Sequence, residues 1–422
     1  MSAFRFCLLL GLLAFVAPSQ AAPALKAYNI DPGQISVSGL SSGGYMAVQF
    51  HVAYSSLIRG AGIIAGGAYF CARDDQQTAL SVCACFALTC QNDPSAQRIP
   101  ELVQITNQNA SQGVIDPTSN LANDRVWLFS GSADSVVPPQ VMNGLELYYK
   151  NYMGAANIFF RKDLPAEHAM PTDSFGNACS FRGEPFINDC DYDAAGELLK
   201  WIYGGLAARN PGTLGGEFVE FDQSEFLPSP DQHGMWPSGW AYVPAACANG
   251  EQCKLHVAFH GCRQYPGAPF ASGPQGRIGD TFVKRTGYNP WADTNNIIVL
   301  YPQANAMTVG TRLPRSNPNG CWDWWGYDDV NYSKKSGRQM TAIKGMVSRL
   351  TGASTPPPPN GFCGAATNAD HVSAGRAYTQ GWWYWTSHYA TGSNDYLGWR
   401  ASANTTLHET STGHFEEVAS CP

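Results

Sequence analysis

Charge is scarce in this 422-residue chain: Asp, Glu, Lys and Arg together make up 14% of it, and the formal net charge is −7. The 26 basic residues are outnumbered by 33 acidic ones, so there is no basic footprint for a polyanion, and nucleic acid is excluded as an expected partner. Long apolar runs are lacking too. Beyond the N-terminal segment nothing approaches the roughly 20 consecutive apolar residues that cross a bilayer, so no membrane span is expected. No C-x-x-C pair occurs, which argues against zinc, and no long-period repeat occurs, which argues against a solenoid.

Aromatic residues, at 12%, and 13 cysteines are what the chain has in place of charge. Residues 1–22 place Arg5 before an apolar run from Cys7 to Ala17, with small residues at Ser19 and Ala21. This is the pattern of a secretory signal peptide cleaved after Ala21 or Ala22; the run is too short for a membrane anchor. Export to the medium or the periplasm is the expectation, and loss of Cys7 with the signal leaves an even number of cysteines suited to disulfides. Proximity suggests the pairs Cys179 with Cys190, Cys247 with Cys253, and Cys363 with Cys421. Cys262 and Cys321 pair by elimination, while the connectivity of Cys71, Cys83, Cys85 and Cys90 stays open. Each bridge is worth about 2 to 4 kcal/mol, mostly by restricting the unfolded chain. A zinc site at 71–90 is the competing reading for that cluster, and the spacing disfavours it.

The Pro-rich run Thr355 to Asn360 is a stiff spacer within a linker at 353–361. It divides a domain at 23–352 from a module at 362–422, whose small size calls for a covalent staple. In the larger part, strands are expected at Gln34–Leu40, Gly62–Ile64, Arg125–Phe129, Asn157–Arg161, Leu255–Phe259 and Ile297–Tyr301. Helices are expected at Gly43–Ser55, Val141–Tyr152, Ala194–Tyr203 and Arg338–Leu350. Such alternation predicts an α/β fold, a mostly parallel sheet covered by helices on both faces.

Gly39-Leu40-Ser41-Ser42-Gly43 is a G-x-S-x-G nucleophile elbow between a strand and a helix, the context that the motif requires. A serine hydroxyl is a weak nucleophile until an imidazole takes its proton and a carboxylate orients that imidazole. In chain order, Asp134 follows the strand ending at Phe129, and His168 follows the strand ending at Arg161. Both then lie at the strands' C-terminal edge, where open α/β sheets build their sites. Asp124 precedes its strand and is expected to be solvated or to cap, and His51 lies in the helix after the elbow. Ser42 supplies one backbone N–H to an oxyanion. The other usually comes from a His-Gly-type loop after an earlier strand, yet here that loop, His260-Gly261-Cys262, comes after the triad. A circularly permuted α/β-hydrolase accounts for this order. Chemistry is assigned to the Cys262 amide and none to the His260 ring.

Taken together, GLSSGGYMA around Ser41, SGSADSVVP around Asp134, EHAMPT around His168, HGC at Cys262 and GCWDWW at Cys321 to Trp325 resemble the extracellular poly(3-hydroxybutyrate) depolymerases of the circularly permuted type. The resemblance covers about Ile35 to Leu350. It implies Ser41 as nucleophile, His168 as base, Asp134 as orienting acid, and the Ser42 and Cys262 amides as oxyanion hole. It also implies Trp322 lining the crevice for the polymer, an acyl-enzyme route, and neither metal nor organic cofactor. The module is similar to C-terminal modules of secreted polymer hydrolases, and Trp382, Trp383 and Trp385 are its candidates for adsorption to a solid polyester. A feruloyl or acetyl esterase acting on plant polysaccharide is the alternative; a non-catalytic adhesin is a more distant one.

Overall fold

The structure, a computed structural model, describes residues 22–86, 98–308, 310–312, 315–353, 362–382, 385–393, 395–411 and 414–418. Its central element is an eight-stranded sheet. In chain order the strands are β1 (Ile30–Leu40), β2 (Gly60–Ile64), β3 (Arg125–Phe129), β4 (Ile158–Arg161), β5 (Glu217–Asp222), β6 (Ser238–Val243), β7 (Cys253–Phe259) and β8 (Ile297–Tyr301). Across the sheet they run β4-β3-β2-β1-β7-β8-β6-β5. From β4 to β8 every neighbour is parallel; β6 and β5 add an antiparallel pair beyond β8. The sequence reading anticipated the six parallel strands and missed β5 and β6. These two carry charge or glycine, and they join the sheet in turn: the edge of β8 pairs with β6, and β6 pairs with β5.

The helices that bear on the site are α1 (Ser42–Ala53), α2 (Ile99–Ser111), α3 (Pro139–Tyr149), α4 (Ala194–Tyr203), α5 (Tyr288–Asn295) and α6 (Arg338–Leu350). Side chains alternate faces along a strand, and β2 shows what each face meets. A Cβ on Gly62 would touch Leu198 of α4, whereas the Ile63 side chain points toward Gly66, itself packed on Gly44 of α1. Helices therefore cover both faces. All twelve residues of α1 are buried, which explains why its sequence carries no amphipathic stripe.

Even the polar side of β1 is interior. Ser36 and Ser38 bond the two ring nitrogens of His256, each at 2.7 Å, and the hydroxyls of Tyr203 and Tyr288 complete the group. Burial of these hydroxyls is tolerated because each has a partner.

Disulfides join Cys71 to Cys83, Cys179 to Cys190, Cys247 to Cys253 and Cys262 to Cys321. Three of these are the pairs expected from sequence, and the fourth resolves part of the open cluster: Cys71 and Cys83 are bridged, not metal-binding thiolates. Cys85 and Cys363 are also disulfide-bonded; Cys90 and Cys421 lie outside the described residues. No helix among the described residues is long and apolar enough to cross a membrane. The module has a small core of its own, built from Ala377, Ala390, Leu397, Leu407 and Phe415.

Candidate active site

Ser41 sits between the last residue of β1 and the first of α1 with φ 57° and ψ −122°. A side-chain-bearing residue rarely adopts this backbone; it costs on the order of 1–3 kcal/mol and is held only where the surroundings determine it. Here they do. Ser41 N–H donates to Ile64 O at 2.9 Å, and Ser41 O accepts from Tyr45 N–H at 3.0 Å. A Cβ on Gly39 would overlap Gly43 O, and one on Gly43 would overlap the carbonyl oxygens of Phe259 and His260. The two glycines of the motif thus allow strand, helix and the end of β7 to close around the serine.

Asp134 follows β3 and His168 follows β4, so both reach the edge where Ser41 stands. Asp134 Oδ2 accepts from His168 Nδ1 at 2.9 Å, with both side chains buried. Asp134 Oδ1 accepts from the N–H groups of Val136 and Val137 at 2.9 and 2.8 Å. Because a carboxylate only accepts, the Nδ1 proton belongs to the imidazole, and Nε2 is left with a lone pair. Among the described residues no hydrogen bond yet joins Ser41 Oγ to that nitrogen; such contacts commonly tighten only with substrate bound.

The two loops are stitched to each other. Ser132 N–H donates to Leu164 O and Ala133 N–H to Ala166 O, at 2.8 and 3.3 Å. Glu167, which the sequence reading passed over, accepts from Ser135 Oγ, from Ser135 N–H and from His168 N–H. Burial raises the Glu167 pKa, but these hydrogen bonds outweigh it and hold the carboxyl below its ordinary value. Glu167 N–H donates in turn to Cys179 O at 2.9 Å, so the Cys179–Cys190 bridge anchors the histidine loop.

On the other side of Ser41 lies the loop after β7. A Cβ on Gly261 would come 3.4 Å from Ser41 Cβ and 3.3 Å from Leu40 O, which puts the loop against Ser41. The N–H groups of Gly261, Arg263 and Gln264 donate to Gln264 Oε1, Asn319 O and Gly261 O at 2.6, 2.7 and 3.3 Å. Among the described residues Cys262 N–H has no such acceptor.

Two sequence expectations need correction. Trp322 was expected to line the crevice, but it has no accessible surface: its indole N–H donates to His260 O at 3.0 Å and its ring packs on Phe259. It backs the loop from beneath. Asp124, expected to be solvated or capping, is buried and accepts from His51 Nε2 at 3.1 Å, while His51 Nδ1 meets Tyr149 OH at 3.0 Å. That cluster lies at the far end of the sheet from Ser41. In the module, Trp383 and the Trp382 and Trp385 side chains lie outside the described residues, whereas Tyr396 and Trp399 stand 55% and 67% exposed.

Among the described residues no group of His, Cys, Asp or Glu is arranged to hold a metal ion. Local spacing could not have marked Gln264 as part of the site, because its side chain reaches the Pro185 and Phe186 carbonyls, which are remote in sequence.

No family model matches the chain. It is 50% identical over 357 residues to a poly(3-hydroxybutyrate) depolymerase of Delftia acidovorans, a match that takes in 82% of this chain and 66% of that one. A polyhydroxybutyrate depolymerase of Talaromyces funiculosus is 43% identical over 350 residues, covering 80% of this chain and 96% of the relative. Among solved structures, that of a PHB depolymerase from Penicillium funiculosum superposes with a TM-score of 0.67 at 40% identity, over 78% of this chain and 99% of the other. A PHB depolymerase complexed with an R3HB trimer gives 0.68 at the same identity. With a relative matched over nearly its whole length and a shared α/β architecture, this chain belongs to the polyhydroxybutyrate depolymerases.

Proposed function

We propose that this chain is a secreted serine esterase that cleaves poly(3-hydroxybutyrate) or a closely related polyhydroxyalkanoate. One observation carries the chemistry: the strained Ser41 elbow shares a sheet edge with the buried Asp134–His168 pair and with a Cys262 amide that has no acceptor among the described residues. Family membership supplies the substrate class.

In the proposed reaction, His168 Nε2 takes the Ser41 hydroxyl proton as Oγ attacks the ester carbonyl. The Ser42 and Cys262 N–H groups hold the developing oxyanion. Collapse breaks the C–O bond as the proton passes from His168 to the departing alkoxide oxygen, which leaves as the hydroxyl of the chain fragment. Water activated by the same imidazole then hydrolyses the acyl-Ser41 ester. Asp134 keeps the ring in the tautomer that leaves Nε2 basic. Each oxyanion donor is worth about 3 to 4 kcal/mol of barrier.

The circularly permuted reading of the fold is supported by the position of Cys253–Phe259, which comes after the triad in sequence but pairs directly with the nucleophile strand. The disulfides accord with export. For the module, exposed Tyr396 and Trp399 beside a separate small core support adsorption to solid polymer, which raises local concentration without entering the chemistry.

The test is incubation of the mature chain with amorphous polyhydroxybutyrate, polylactate and feruloylated xylan in parallel, with mass analysis of soluble products. Hydroxybutyrate monomers or oligomers from the first are expected; release of ferulate alone would reject the assignment. In the same assay a chain ending at Ala353 should keep activity on soluble esters and lose adsorption to polymer granules. Unchanged adsorption would reject the tether role.

A further inference from the structure

His260 is buried to the last atom, yet the proposed reaction makes no use of it. Its two ring nitrogens have unambiguous partners. Nε2 lies 3.0 Å from the backbone N–H of Ala304, a group that can only donate, so Nε2 carries the lone pair. Nδ1 lies 2.7 Å from Gly261 O, a group that can only accept, so Nδ1 carries the proton. Burial keeps the ring neutral, with its pKa pushed down to about 4, so this single tautomer prevails well above that pH.

The carbonyl that receives the Nδ1 proton belongs to the same peptide unit as Cys262 N–H. In a trans peptide C=O and N–H point in opposite directions, so fixing one aims the other. The preceding peptide is fixed as well, because Gly261 N–H donates to Gln264 Oε1 at 2.6 Å. Gln264 Nε2 reaches across to Pro185 O and Phe186 O at 2.8 and 3.2 Å, and the Phe186 ring stands against His168. Trp322 holds His260 O from below, and the Cys262–Cys321 bridge holds the side chain of the next residue but one.

We infer that His260 is a positioning residue that aims the Cys262 N–H at the oxyanion through its bond to Gly261 O, with Gln264 locking the adjacent peptide and tying the oxyanion loop to the histidine loop. The inference rests on the esterase reading above. A donor already oriented when charge develops costs no reorganisation at that moment, which is the source of its catalytic value.

The test separates the two ring nitrogens. In His260→Asn the side-chain N–H falls where Nδ1 was and can still donate to Gly261 O; in His260→Gln it falls nearer Nε2 and cannot. With p-nitrophenyl butyrate, kcat should drop roughly 10- to 100-fold in His260→Gln with KM little changed, and His260→Asn should recover most of the loss. Affinity for a trifluoromethyl ketone, whose adduct with Ser41 carries an oxyanion, should fall in parallel with kcat. Equal effects of Asn and Gln, or a change in KM alone, would mean that the ring merely packs. Should both variants fail to fold, Gln264→Met decides: the same loss in kcat with folded protein is expected, and wild-type kcat would overturn the inference. Ser41→Ala runs alongside; turnover in that variant would sink the esterase reading itself, a result distinct from any of these.

Discussion

Both carboxylate oxygens of Asp134 are occupied, one by two backbone N–H groups and the other by His168 Nδ1. An amide in its place must turn its NH2 either to His168 Nδ1–H or to the two backbone N–H groups. Asp134→Asn should therefore keep the fold, because its volume is unchanged, and lose about 10⁴-fold in kcat, the scale seen when a catalytic imidazole is held in the wrong tautomer. Steady-state kinetics on a soluble ester would check it, and near-normal turnover would point to another carboxylate. At this scale the sequence was informative wherever function follows from chain order. Ser41, Asp134 and His168 could be named because each comes just after a strand that ends at one edge. Glu167 could not, since nothing distinguishes it from a solvated acid until Ser135 folds onto it.

The elbow shows what backbone proximity demands of an element. Gly43 opens the first turn of the helix Ser42–Ala53 directly against the end of the strand Cys253–Phe259, where a Cβ would overlap two carbonyl oxygens. Neither oxygen is the tip of a flexible side chain, so relief requires that the helix or the oxyanion loop move. Gly43→Ala should cost about 1 to 3 kcal/mol in urea unfolding and depress kcat more than that loss of stability explains. A fully active, fully stable variant would show that the close approach is slack. The sequence marked this element because turn, strand and helix are adjacent in the chain. The strands Glu217–Asp222 and Ser238–Val243 went unread because Ser238–Val243 joins the sheet through the edge of Ile297–Tyr301, remote in sequence, and Glu217–Asp222 pairs in turn with Ser238–Val243.

Across the whole molecule, two buried histidines link stability to pH. Burial lowers the pKa of His256 to about 3 and that of His260 to about 4, against an ordinary value near 6.5. Below pH 6.5 the unfolded chain takes up protons that the folded one refuses until its own lower pKa is reached. Stability therefore falls as pH drops from about 6.5 toward 4, by about 1.4 kcal/mol per pH unit for each histidine. Urea unfolding of His256→Gln should show a slope shallower than wild type by one proton's worth over that window; identical slopes would exclude His256 as a source of acid sensitivity.

The sequence by itself determined what depends on neighbours in the chain: the elbow, the order of the candidate site residues along successive strands, the cysteine pairs close in sequence, and the α/β alternation. Only the tertiary structure decided that Trp322 backs a loop instead of facing a crevice, that Asp124 pairs with His51 in the interior, and that the buried His260 ring bonds the Gly261 carbonyl and the Ala304 amide. Each of these depends on where a distant backbone group comes to rest, and hydrogen-bond partners remote in sequence leave no periodicity or spacing to read.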